Sequence, residues 1–204
     1  MKILSIKAKL ILAHGAGAGM ESDFMRQMDD LLKERGIEVQ RFNFPYMQKA
    51  LEENKKRPPN PMPKLIEAFE QQVSGAGGEL PLFVGGKSMG ARVALSICHL
   101  SPVRGAIALG YPLHPPGKPE KLRLEPLQQA DKPVLIVQGE RDTFGNREDW
   151  QNIELEAHLT LSFLADGDHS LKPRKRSGYD YDTHMASAAD CISGFINQQL
   201  GNES

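Results

Sequence analysis

The chain has 204 residues, 40% of them hydrophobic and 25% charged, with a formal net charge of −1. That length and apolar content suit one domain, residues 1–204, with a sizeable core. Near-neutrality removes the global field that would recruit nucleic acid or an anionic membrane. Two cysteines, Cys98 and Cys191, lie too far apart to suggest a disulfide framework or a zinc site, and read as reduced thiols of a cytoplasmic protein. Lys2, Lys7 and Lys9 interrupt the apolar N-terminus, so no signal peptide is expected, and no segment is long enough to span a membrane.

Apolar runs of strand length alternate with helical segments. Leu10–Ala13 reads as a short strand. Ser22–Arg35 reads as a helix with Phe24, Met28, Leu31 and Leu32 on one face and Gly36 as its stop. Val39–Phe44 is a strand ending at Pro45. Tyr46–Met62 contains Lys55-Lys-Arg-Pro-Pro-Asn-Pro61 and has no clear period, so its prolines predict a stiff loop rather than a helix. Pro63–Val73 is a helix. Leu82, Phe83 and Val84 form the next strand, and the helix after it buries Ala94, Ile97 and Cys98 and stops at Ser101-Pro102.

Ala106–Leu109 follows as a strand, then a proline-rich loop over Tyr111–Leu124. Val134–Val137 and Leu159–Leu164 are the last two strands. Thr183–Leu200 is a closing helix with Ala188, Cys191, Ile192 and Phe195 inward. This α/β alternation implies a doubly wound parallel sheet with helices on both faces. Loops at the carboxyl ends of its strands should carry function.

Between the third strand and its helix stands Gly86-Lys-Ser88-Met-Gly90. A G-x-S-x-G turn there exposes a serine hydroxyl, because residues two places either side of the serine must be small. The alternative is a glycine-rich turn with an idle serine. A serine hydroxyl needs a base, and the base needs an orienting acid. An elbow of this kind has its acid next in chain order and its histidine last.

Past Val134–Val137 comes Gln138-Gly-Glu-Arg-Asp142, where Asp142 is the candidate acid and Glu140 its rival. Past Leu159–Leu164 comes Asp166-Gly-Asp-His169, and His169 is the candidate base, with His184 its serious competitor. His158 precedes its strand, His99 ends a helix, and His114 comes before Asp142. An oxyanion needs two backbone N–H donors. Met89, following the serine, supplies one. The loop His14-Gly-Ala-Gly-Ala-Gly19 supplies the other, from Ala16 or, next in order, Gly17. A dinucleotide turn is a poorer reading of that loop, since Met20 stands where its last glycine is needed.

Gly86-Lys-Ser-Met-Gly90, His14-Gly-Ala-Gly-Ala18, Gly139-Glu-Arg-Asp142 and Gly167-Asp-His169 together resemble the α/β-hydrolase superfamily, over about residues 8 to 200. The resemblance is closest to its small, lidless, dienelactone-hydrolase-like branch. The Phe44-Pro-Tyr-Met47 loop, and Asp168-His-Ser170 followed by Lys172-Pro-Arg-Lys-Arg176, resemble a group of uncharacterised bacterial hydrolases. That group also includes an animal testis-expressed protein and a subunit of an animal histone acetyltransferase complex.

The resemblance implies a three-layer sandwich of about six mainly parallel strands with no cap domain. It implies Ser88 as nucleophile, Asp142 as acid and His169 as base, but supplies no substrate; the leading expectation is a serine hydrolase acting on a small-molecule ester or thioester. No metal or organic cofactor is implied. Dienelactone hydrolases use a cysteine where this chain has serine, so dienelactone itself is not the expected substrate. The different-class alternative is a non-catalytic interaction module on the same fold. Lys172–Arg176 reads either as a solvated run or as a surface facing an anionic substrate, to which Lys87 and Arg92 would add.

Overall fold

In the computed structural model, residues 5–201 are described; Lys2 of the interrupted N-terminus lies outside them. The elements in chain order are β1 (Ala8–Ala13), α1 (Asp23–Lys33), β2 (Ile37–Phe42), α2 (Pro45–Glu52), α3 (Met62–Ser74), β3 (Leu82–Lys87) and α4 (Met89–Ser96). They continue as β4 (Val103–Leu109), α5 (Glu125–Gln128), β5 (Val134–Gly139), α6 (Arg147–Gln151), β6 (Leu159–Leu164) and α7 (Tyr181–Gly201).

The six strands form one sheet in the order β2-β1-β3-β4-β5-β6, and every neighbouring pair is parallel. Alternate residues of a strand point to opposite faces. Ile11, Val84, Ala106 and Ile136 therefore enter one apolar layer with Leu65 and Phe69 of α3 and Ala94 of α4. Leu10, Phe83, Ile107 and Leu135 enter the other, against Met28 of α1 and Ile192 of α7. Because both faces are covered, the central strands are continuously apolar. This is the three-layer, doubly wound arrangement expected. Among the described residues, no helix is long and apolar enough to cross a membrane.

The structure corrects several boundaries. Tyr46–Met62 is not all loop: α2 occupies its first part, with Pro45 in the first turn and buried Phe44 as N-cap. Proline costs nothing at that position, since the first turn's N–H groups have no helical acceptor. β2 accordingly ends at Phe42. β3 runs on past Val84 through two glycines to Lys87, and β5 runs on past Val137 to Gly139. α4 stops at Ser96, and turns carry the chain to Pro102.

Candidate active site

Strand order fixes where the site lies. β1 pairs with β2 on one side and β3 on the other, so the chain reverses direction across the sheet at β1. At such a switch point adjacent loops diverge and leave a crevice. The loops leaving β1 and β3 there are the Gly15–Ala18 segment and the elbow at Ser88. A hollow of about 380 Å³ opens between them, lined also by Phe24, Lys87, Phe144 and His169.

Ser88 adopts φ 54° and ψ −112°, a left-handed conformation that a non-glycine residue holds only under constraint. The constraint is backbone crowding on both sides. A Cβ on Gly86 would sit 2.3 Å from the carbonyl carbon of Gly90, and one on Gly90 would sit 2.6 Å from the oxygens of Ala13 and His14. Both glycines are sterically required, so the elbow can pass tightly beneath the β1 loop.

Asp142 and His169 arrive from β5 and β6. His169 Nε2 is 2.8 Å from Ser88 Oγ, and His169 Nδ1 is 2.8 Å from Asp142 Oδ2. Asp142 is fully buried. Its Oδ2 also accepts from Gln138 Nε2 at 2.8 Å, and its Oδ1 from the Phe144 N–H at 2.8 Å. A carboxylate with these donors is held in one orientation. It assigns the proton of neutral His169 to Nδ1 and leaves Nε2 free to accept the serine proton. Phe144 stacks on the imidazole with ring centroids 4.2 Å apart.

Lys87 is buried beneath this line, and its Nζ donates to the His169 carbonyl at 2.5 Å. Burial lowers its pKa to about 8, opposed by the charges of Asp142 and Asp168.

The β1 loop is pinned by two residues. The Phe44 N–H donates to His14 Nε2 at 3.1 Å, so His14 carries its proton on Nδ1, which donates to the Gly15 carbonyl at 2.7 Å. Burial lowers the pKa of His14, keeping it neutral. The Tyr46 hydroxyl donates to the Ala16 carbonyl at 3.0 Å and lies 3.4 Å from that of Gly15. In a planar trans peptide the N–H points opposite the preceding C=O. Fixing these two carbonyls toward Tyr46 therefore turns the Ala16 and Gly17 N–H groups the other way. Among the described residues, neither of these N–H groups nor that of Met89 has an acceptor.

The structure thus brings Ser88, Asp142 and His169 together and lines their hollow with Ala16 and Gly17. The rivals are used elsewhere. Glu140 binds Arg147 and the Asp166 N–H. His184 Nδ1 is bonded to the Leu171 carbonyl, and His114 bridges Pro115 and Asp149. Arg174 is paired with Asp166, which Arg141 also holds, and these residues line a different hollow. Gln138, Tyr46 and the structural role of His14 escape the sequence reading. A lone amide ending the apolar run of β5 is the one signal that could have exposed Gln138. Among the described residues, no three His, Cys, Asp or Glu side chains gather as metal ligands.

Solved structures of the same architecture exist at low sequence identity. An α/β serine hydrolase homologue from Coxiella burnetii is 16% identical, covering 95% of this chain and 86% of its own with a TM-score of 0.66. A dienelactone hydrolase from Anabaena variabilis is also 16% identical, covering 94% and 86% with a TM-score of 0.68. A lidless α/β serine hydrolase from Xanthomonas campestris is 18% identical, covering 97% and 85% with a TM-score of 0.69. At these identities the likeness speaks for the fold. The family model of an alpha/beta hydrolase domain matches residues 6–197, and the chain belongs to that family.

Proposed function

We propose that the chain is a serine hydrolase that cleaves an ester or thioester of a small carboxylic acid. The reading is carried by the hydrogen-bonded line from Ser88 through His169 to Asp142, with both contacts at 2.8 Å. In this scheme His169 Nε2 takes the Ser88 proton as Oγ bonds to the carbonyl carbon. The bond to the leaving group breaks, and the imidazolium gives its proton to the departing alcohol or thiol. Water then gives a proton to His169 while its oxygen bonds to the acyl carbon. The Ser88 ester bond breaks, the acid leaves, and Ser88 recovers the proton. Asp142 stays ionised throughout, holding Nδ1–H and balancing the imidazolium.

In each addition step negative charge develops on the carbonyl oxygen. The Ala16 and Met89 N–H groups are the donors assigned to it, with Gly17 beside them. Their lack of other acceptors and the fixed orientation of the loop support that assignment. No step in the scheme calls for a metal or an organic cofactor.

The test compares wild type with Ser88→Ala on a short aryl ester, with circular dichroism to check folding. kcat/KM is expected to fall about 10⁴-fold or more. Equal, slow turnover by both folded proteins would overturn the hydrolase reading and leave an interaction module on this fold.

A further inference from the structure

The basic run Lys55–Arg57 lies in a groove next to the catalytic hollow. A second groove of about 620 Å³ lies beside the hollow, and the two share Ala16 and Gly17 as a common wall. Met47, Ala50 and Leu51 of α2 line the groove, and Leu51 is 60% exposed. With Met47 and Ala50 it gives the groove an apolar floor. Asn54, Lys55, Lys56 and Arg57 complete the groove.

The backbone that carries these cations follows a fixed path. Asn54 is left-handed at φ 50°, and the N–H groups of Asn54 and Lys55 close onto the carbonyls of Leu51 and Ala50. That pair of bonds is a Schellman cap, which sets the path of the chain leaving the helix. Downstream, Asn60 Oδ1 accepts from the Tyr46 N–H at 2.9 Å and ties the proline segment back to α2. Arg57 is paired with Glu53. Among the described residues, Lys55 and Lys56 form no ion pair. The carboxyl end of α2 favours one nearby cation but does not neutralise two.

We propose that the groove is a substrate subsite: an apolar stretch lies on Met47 and Leu51, and a carboxylate or phosphate, several bonds from the scissile carbonyl, lies on Lys55 and Lys56. The proposal rests on the hydrolase reading and names the class of ester that the site selects. Oxyanion-loop residues form the boundary between hollow and groove, so a substrate held at Ser88 reaches the lysines by crossing Ala16 and Gly17.

The experiment uses matched esters of equal length ending in a methyl, a carboxylate or a phosphate, with the terminus placed on the acyl portion in one series and on the alcohol portion in another. Wild type is expected to favour the anionic member of one series in kcat/KM by about fivefold or more, chiefly through KM and less so at high salt. Charge reversal with Lys55→Glu/Lys56→Glu, and neutralisation with Lys55→Gln/Lys56→Gln, should bring that ratio to one or below. Lys175→Glu/Arg176→Glu, on the other basic run, should leave it unchanged. Equal rates for neutral and anionic esters, or a preference that survives reversal at Lys55 and Lys56, would overturn the subsite while leaving the hydrolase standing. A wild type that turns over no ester and whose Ser88 resists a fluorophosphonate would overturn the hydrolase reading and this proposal with it.

Discussion

Asp142 shows how much one buried residue can determine. It accepts from His169, Gln138 and the Phe144 N–H. Asp142→Asn would present an amide N–H₂ to His169 Nδ1, shifting the imidazole proton to Nε2, where it cannot accept from Ser88. kcat is expected to fall about 10⁴-fold on an aryl ester, and a urea melt should show a loss of about 1–3 kcal/mol, because the same N–H₂ faces the buried Gln138 Nε2 donor. Tyr46→Phe acts more gently. It removes the hydroxyl that fixes the Gly15 and Ala16 carbonyls, so the loop to which the proposed mechanism assigns the oxyanion loosens. We expect a fall of about tenfold in kcat, a nearly unchanged KM and a stability loss of about 1 kcal/mol. A rise in KM with kcat unchanged would place Tyr46 in binding instead. Ser88, Asp142 and His169 are legible in the sequence because each follows the end of an apolar strand by a few residues. His14 and Tyr46 are not, because their roles depend on a loop after β1 meeting the start of α2, a contact created only by folding.

Elements were legible in proportion to their length and their periodicity. The central strands stand out because both faces of the sheet are covered, which makes them nearly continuous apolar runs, whereas the edge strands β2 and β6 alternate with polar residues. α1, α3 and α7 show one buried stripe. α5 and α6 have four and five residues, too few for a period. α6 nevertheless carries a readable start: Asn146 caps the N–H groups of Glu148 and Asp149, and Asp149 accepts from the Asn146 N–H. Asn146→Ala should cost about 1 kcal/mol, seen as a drop of about 2–4 °C in Tm. The elbow tolerates less. Gly90→Ala would drive a methyl group to 2.6 Å from two backbone oxygens, which no side-chain rotation relieves. It should destabilise by several kcal/mol, read as a collapsed urea midpoint or an insoluble product. α2 is hard to read in the sequence because a proline signals a break as readily as a first helical turn, and the basic groove beside it is hidden for the same reason.

At the scale of the molecule, the order β2-β1-β3-β4-β5-β6 turns separate loops into a site, and that order is not readable from local pattern. The fold also carries a cost at its centre. Below about pH 8 Lys87 is an ammonium in both folded and unfolded chains, and its burial counts fully against the fold. Between about 8 and 10.5 the folded chain sheds a proton that the unfolded chain keeps, so this contribution to stability rises with pH. The stability of wild type relative to Lys87→Met should increase by up to about 3 kcal/mol from pH 7.5 to pH 10 in paired urea titrations. A flat difference would mean that Lys87 titrates as an exposed lysine. The most direct test of the whole account is covalent. Wild type treated with a fluorophosphonate at neutral pH, digested and mapped by mass spectrometry, should carry one adduct on Ser88, absent in Ser88→Ala and strongly slowed in His169→Ala. A folded wild type with no adduct, or with the adduct on another residue, would contradict it.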